Sequence, residues 1–410
     1  MSPRKRGSKP KGIAIWRWPL PKDVRGALAE FGLKPKELLE ESPDNPALLL
    51  QRYIPFPAYR QKEEGDTRAD GKLAEDELKG TFGEWGWPKE RELRGAKADL
   101  WRAIVERVGS GYQDGLGGLF RNLKERQKGL LKDLELLGYK VRCLPLGDDQ
   151  RLMVEWRLIV GLGLPSPLET GITLHHLYGF PYLPGSAIKG VTRGWKLQQT
   201  ADKLGIPRFN AEEYERWKKE KEHNPTPWEL LEQLLMSPLP KERDPEDAKR
   251  RLWHQISQRL GELQKALKKA RESGFLPPDS NPKVLSFDPK DVEGFAEEYI
   301  EKFSRAFGST EAKGEVIFLD AYPEGLVVDG KPILELDVMT PHYGNYYTDD
   351  EPPADWMDPK PVQFLAVRRK TAFKVCLACR DGDLLEKVAQ WTKKALEDLG
   401  IGAKTRAGYG

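Results

Sequence analysis

Lys189, Arg193 and Lys196 follow one another at i, i+4 and i+7, the spacing that puts three side chains on one face of a helix. Cations in the first turns of a helix suit an anion, because the free N–H groups and the dipole already make that end positive. A second cationic group lies in Gly400–Gly410, GIGAKTRAGYG. There Lys404 and Arg406 stand among glycines whose exposed N–H groups can approach a phosphate closely. This loop is not a dinucleotide fingerprint: Gly400-x-Gly402-x-x-Thr405 lacks the third glycine and follows a helix instead of opening one. Lys404-Thr405 also lacks the preceding glycine of a P-loop.

Other residue types admit other chemistry. His175, His176 and His342 are candidate general bases, yet spacing assigns them no tyrosine or serine partner. Hydrogen-bonding or stacking histidines are therefore the first reading. Asp320, Asp337, Asp349 and Asp350 are the carboxylates from which an acidic site could be imagined. Cys376-Leu-Ala-Cys379 is a single CxxC. In a strand its two thiols point to opposite faces, and zinc needs four ligands, so Cys143 and a distant histidine would have to supply the rest. No metal or cofactor is expected.

The elements that position these groups are legible from periodicity. Leu152, Val154, Trp156, Leu158 and Val160 point one way and Glu155 and Arg157 the other, which predicts a half-buried strand. Pro184-Gly185-Ser186 opens a helix that Ser186 is placed to cap, with Ile188, Val191 and Trp195 as its apolar stripe. Gly190 and Gly194 weaken that helix by roughly 1 kcal/mol each relative to alanine, which suggests a close approach to its backbone. Strands are expected at Glu315–Leu319, Ile333–Val338, Val362–Arg368 and Thr371–Cys379. The last two read as a hairpin with Arg368, Arg369 and Lys370 at its tip. In the final strand Phe373, Val375 and Leu377 face inward and Lys374 outward. A helix follows, with Asp383 and Glu386 as a capping box, Leu384, Val388, Trp391, Ala395 and Leu399 as its face, and Gly400 as its stop. The excursion from Thr340 to Pro361 is long for a loop and carries His342, Tyr343, Tyr346, Tyr347 and Trp356, groups on which RNA bases stack.

The remaining chain reads as helical. Helices are expected at Asp23–Phe31, Lys89–Val108 and about Leu119–Leu137, the last carrying Leu123, Leu130, Leu134 and Leu137. Gln61–Gly80 is charged and poor in apolar residues, a linker. Between Ala201 and Thr310 the pattern is helical again. Asp244-Pro245 starts a long helix there, with Leu252, Ile256, Leu260, Leu263 and Leu267 on one face and Gly274 ending it.

Length and composition limit the function classes. The 410 residues carry 67 basic and 64 acidic side chains, a net charge of +3, so any polyanion site must come from local clustering. The basic start, Met1–Lys9, has no apolar stretch after it and is not a signal peptide; with Trp16 and Trp18 it reads as a solvated tail or an RNA-touching arm. Three cysteines argue against a disulfide framework and for a reducing cytoplasm. No run approaches the length of a membrane span. The 32% charged residues suit a thermophile.

Gly179-Phe-Pro-Tyr-Leu-Pro-Gly-Ser-Ala-Ile-Lys-Gly-Val-Thr-Arg193 and the Gly400–Gly410 loop resemble the two signatures of the RAMP proteins of CRISPR systems. Asn45–Ile54 and Leu336–Tyr347 narrow the resemblance to the sixth-subunit family of the type III-B Cmr effector complex. The resemblance implies an α+β fold: a ferredoxin-like, RRM-like RAMP core over 141–410 with a helical insertion at about 200–310, after a mostly helical region over 1–140. Strand, helix, strands, helix is also the order read above. No stretch remains after the last helix for the usual closing strand, so Val141–Leu144 or another segment takes that place.

The resemblance further implies a non-catalytic RNA-binding subunit whose partners are the guide CRISPR RNA, the target RNA and other RAMP and small subunits. Target selection is then left to base pairing. Lys189, Arg193, Lys196, Lys404, Arg406, His342, Tyr346, Tyr347, Arg368 and Arg369 are the residues expected on RNA. The alternative is a metal-independent endoribonuclease that processes the guide precursor.

Overall fold

The computed structural model describes residues 15–17, 56–58, 117–145, 151–163, 170–220, 225–241, 243–276, 280–290, 292–309, 312–340 and 361–410. The helices expected at Asp23–Phe31 and Lys89–Val108, the linker Gln61–Gly80 and nearly all of the aromatic excursion after Thr340 lie outside the described residues. In chain order the elements are β1 (Ile15–Arg17), β2 (Phe56–Ala58), α1 (Gly117–Leu136), β3 (Lys140–Leu144) and β4 (Leu152–Met153). Next come α2 (Gly185–Leu204), α3 (Ala211–Glu220), α4 (Pro227–Leu235), α5 (Glu246–Glu272), α6 (Glu293–Phe295), a π-helical turn (Ala296–Ile300) and α7 (Glu301–Phe307). Then follow β5 (Ile317–Phe318), β6 (Tyr322–Pro323), β7 (Val327–Val328), β8 (Lys331–Pro332), β9 (Leu334–Met339), β10 (Val362–Val367), β11 (Ala372–Cys379) and α8 (Gly382–Leu399). The chain divides into two compact units: 1–123 with 156–182 and 325–371, and 124–155 with 183–324 and 372–410.

The second unit is organised around β11. β3 pairs with it antiparallel from Val375↔Leu144 to Cys379↔Lys140, and β4 continues along the same edge with Phe373↔Leu152. β5 and β6 line the other edge, at Leu377↔Phe318 and Lys374↔Tyr322. Val141–Leu144 thus does pair beside the final strand. From Val375 to Cys379 every side chain of β11 is buried, the mark of a strand covered on both faces. The inward set expected for this strand, Phe373, Val375 and Leu377, is buried as the alternation requires.

Between β5 and β6 the register slips by one residue, so Leu319, Asp320 and Ala321 oppose only two residues of β11. Such a bulge re-aims a side chain. Ala321, fully buried, exchanges two backbone hydrogen bonds with Leu183, just before α2.

α2 and α8 pack on each other through Thr192–Thr392 and Trp195–Asp398, and α8 lies on β3 and β11. α8 is capped by Asp381, whose carboxylate accepts from the Asp383 and Leu384 N–H groups. The cap is therefore two residues earlier than Asp383, and Glu386 instead pairs with Arg142. Those two hydrogen bonds, the Leu384 one first, and the Arg305 guanidinium hold the Asp381 carboxyl below the usual range. The buried face of α8 adds Leu385, Ala389 and Thr392 to Leu384, Val388 and Ala395, while Leu399 is exposed.

The stretch after α2 carries α3 to α7 among its described residues, joined by turns and coil. α5 buries Ile256, Leu260, Leu263 and Leu267, and Gly274 follows it in a left-handed conformation. Asp244 does not cap α5; its carboxylate accepts from the Lys241 N–H instead. In α1 Leu123 is buried, but Leu130 and, just past its end, Leu137 are exposed, so the periodicity overstates the covered length.

In the first unit β9 and β10 pair antiparallel from Val367↔Leu334 to Val362↔Met339, and β1 pairs with β2. β10 and β11 do not form the expected hairpin. The turn at Arg368–Thr371 exists, with Lys370 left-handed, but the strands on either side of it take different partners. The strand expected over Leu152–Val160 is likewise split. Only Leu152 and Met153 pair on β11, and the next contact is a single bridge, Leu158↔Val367, to β10.

Two cysteines correct the composition argument. Cys143 and Cys376 are register partners on β3 and β11 and are joined by a disulfide, leaving Cys379 free and buried. The odd count concealed one pair whose members lie 233 residues apart. Cys376 is thereby removed from any CxxC metal site. No helix among the described residues is long and apolar enough to cross a membrane.

Candidate nucleic-acid interface

The start of α2 is built differently from the expectation. Ser186 lies inside the helix, and the residue before the first turn is Pro184, which has no side-chain cap to offer. The free Gly185 N–H donates instead to the Asp320 carboxylate at 2.7 Å, carried there by the bulge between β5 and β6. The positive end of the helix thus holds an anion from the chain itself. A Cβ at Gly185 would stand 2.9 Å from the Phe318 carbonyl carbon and 3.2 Å from that of Leu319, so the glycine lets strand and helix meet. At Gly190 and Gly194 an added Cβ meets nothing within 4 Å, so no close approach explains those two.

The expected basic stripe is divided. Arg193 forms an ion pair with Glu232 of α4. Lys196 lies over the Trp391 ring of α8, its Nζ 4.7 Å from the centroid. Burial, reinforced by Lys203 and Lys302, lowers its pKa to about 8, outweighing the ring's preference for the cation. Lys189 opens onto a cleft of about 280 Å³ whose lining includes Ser186, Gly185 and Lys313. Burial, and then Arg193, lowers the Lys189 pKa. Lys313 escaped sequence reasoning, because nothing in its neighbourhood predicts that it shares a cleft with α2.

The position of Lys196 has a pH consequence. Its folded pKa lies below the 10.5 of an ordinary lysine, so the folded chain binds fewer protons than the unfolded one between those values. Stability from this group therefore rises as pH rises from about 8 toward 10.5. Lys196→Met removes the titration. Urea unfolding across pH 7–10.5 should show wild type gaining on the variant through that window; parallel curves would refute the assignment.

The loop after α8 is open. Gly400 ends the helix, and Lys404 takes a left-handed conformation in which its carbonyl accepts from the Ala407 and Tyr409 N–H groups. This turns Lys404 and Arg406 into solvent, and among the described residues neither has an ion-pair partner.

The other expected residues separate. Arg368 is half-buried, pairing with Glu335 at 2.6 Å and donating to the Pro332 carbonyl. Lys370 pairs with Asp329. Arg369 is exposed, with no carboxylate at ion-pair distance among the described residues. His342, Tyr346, Tyr347, Trp356, Asp349 and Asp350 lie outside the described residues. His175 Nδ1 accepts from the Leu177 and Tyr178 N–H groups, and its ring packs against His176, Tyr178 and Tyr182. Asp337 is held by Arg157 and Asp320 by Gly185, so each described carboxylate of the imagined acidic site has its own structural partner.

A family model for the RAMP superfamily matches residues 151–410, which takes in α2, the bulged edge, β11 and the loop after α8. The chain belongs to the RAMP superfamily. Among RAMP proteins it is 38% identical over 258 residues to the CRISPR system Cmr subunit Cmr6 of Pyrococcus furiosus. That match covers 62% of this chain and 64% of the relative, so the chain spans slightly less than two thirds of the relative's length. The crystal structure of Cmr6 from Pyrococcus furiosus is 34% identical, covering 67% of this chain and 96% of that one, with a TM-score of 0.34. A cryo-EM structure of the type III-B Cmr-beta complex bound to cognate target RNA matches at 17% identity over 78% of this chain and 73% of that one, with a TM-score of 0.41. The sequence matches, not the superpositions, carry the assignment. β3 and its disulfide cysteine precede the matched region.

Proposed function

We propose that this RAMP protein is a non-catalytic, RNA-binding subunit of a type III-B CRISPR effector, holding the guide RNA by its sugar-phosphate backbone beside other RAMP and small subunits. Its 38% identity to the Cmr6 subunit of Pyrococcus furiosus supports the assembly, and target RNA is the second partner on this reading. The observation that carries RNA binding is the loop after α8, where Lys404 and Arg406 stand in solvent without an acidic partner among the described residues. Cations left unneutralised beside glycine backbone suit phosphates and read no base. On this reading β11, its paired edges and the α2–α8 layer are the ferredoxin-like core. The setting is cytoplasmic, and a disulfide there is at home in a hyperthermophile, the group in which intracellular proteins are disulfide-rich.

The test uses the full chain and a fluorescein-labelled single-stranded RNA. Lys404→Glu with Arg406→Glu should weaken binding and flatten the log affinity against log salt slope by about 0.7 for each phosphate no longer neutralised. The labelled RNA should be recovered intact after incubation with wild type. An unchanged slope refutes the phosphate assignment, and metal-independent cleavage returns the protein to the endoribonucleases.

A further inference from the structure

Trp156 belongs to the core by its place in the alternation, yet 43% of its surface is exposed. The chain leaves β11 after Met153, bends at Glu155 and Trp156, and re-enters regular pairing only at Leu158, where Leu158 and Ile159 are buried together. Exposing so large an apolar ring forfeits much of what its burial would contribute.

Its neighbours are cations. The Arg157 guanidinium lies 4.9 Å from the ring centroid and that of Arg369 lies 5.9 Å away, both within cation–π range. The two arginines differ in freedom. Arg157 is clamped by Glu335 at 2.6 Å and Asp337 at 2.9 Å, and Glu335 also takes Arg368. Asp329 takes Lys370. Glu335, Asp337 and Asp329 are therefore engaged with other cations, and among the described residues Arg369 has no carboxylate at ion-pair distance beside the exposed indole.

We propose that Trp156 and Arg369 form a single-nucleotide subsite, the ring stacking on one base of an RNA strand and the guanidinium taking an adjoining phosphate. The inference rests on the RNA-binding reading above and adds a base contact to it. An aromatic face with an adjacent unneutralised cation is how single strands are held without sequence preference, because every base has a π-face. A protein partner would be better served by a neutral apolar surround than by an arginine with no carboxylate partner among the described residues. The clamp on Arg157 keeps one side of the ring fixed, while Arg369, at the outer limit of cation–π range, can turn to a phosphate.

Wild type, Trp156→Ala, Trp156→Phe and Arg369→Ala are compared with the labelled single-stranded RNA across a salt series. Trp156→Ala should weaken binding by about 5- to 150-fold with little change of salt slope, as loss of one stacked base requires. Trp156→Phe should retain most of the affinity, and Arg369→Ala should flatten the slope by about 0.7. In the assembled effector, loss of guide retention by Trp156→Ala assigns the base to the guide; intact retention with weaker capture of labelled target assigns it to the target. If Trp156→Ala binds like wild type in both settings while Lys404→Glu with Arg406→Glu binds weakly, the subsite is wrong and the RNA reading stands. If wild type binds no RNA, both fall. If Trp156→Ala keeps its RNA affinity but sheds a protein subunit, the ring is a protein contact and the subsite is refuted.

Discussion

Gly185→Ala is expected to lower the stability of the protein by about 3 kcal/mol, from overpacking against backbone together with a lost helix cap. The added methyl would press on the Phe318 and Leu319 carbonyls, which cannot turn aside as a side chain can. Separating α2 from the β5–β6 edge would also break the Gly185–Asp320 bond and the two Leu183–Ala321 hydrogen bonds. Gly190→Ala is the control. Its new methyl meets nothing within 4 Å, and the helix should gain up to about 1 kcal/mol. Urea unfolding of both variants decides the matter, and a Gly185→Ala loss below that of an average surface substitution would show that the strand edge yields.

Breaking the Cys143–Cys376 bridge should cost about 2–5 kcal/mol, the usual range when a native disulfide is removed. The bond closes a loop of 233 residues, so most of the unfolded chain is constrained by it. Reductant should lower the unfolding midpoint of wild type and leave Cys143→Ala with Cys376→Ala unaffected. Alkylation of unfolded, unreduced protein followed by intact mass should tag one thiol, Cys379, and three after reduction. Three tags without reductant would mean that the bridge does not form.

These two features mark the boundary of what periodicity can reveal. The last helix was legible because Leu384, Val388 and Ala395 recur at helical spacing and Gly400 stops it. Its cap moved by two residues because Asp381 and Asp383 are both good caps, and Arg305, far off in the chain, favours the first. The strands near 334–339, 362–367 and 372–379 were legible as short apolar runs, partly alternating, between turn residues. Their partners were not, because alternation reports which side of a strand is dry and says nothing of which edge it joins. Trp156 shows that gap: it belongs to the alternating apolar set, yet it lies between the last β11 pair and the Leu158 bridge and is exposed. The basic stripe on α2 has the right spacing, but Glu232 and Trp391 come from remote segments to occupy two of its three members. That Lys404 and Arg406 are exposed was legible from the glycines around them.

The carboxylate at the head of α2 bears on how relatives of this chain should be compared. A glycine and an aspartate that recur together beside a basic helix invite assignment to ligand contact. Here Gly185 and Asp320 answer to each other across a strand edge. Substitutions at the two positions should therefore be correlated: a homologue with a bulkier residue at the first should lack the bulge, and with it the acid, at the second. Invariance of that pair across RAMP proteins would record a shared joint between helix and sheet, and it would hold in members that have lost their nucleic acid.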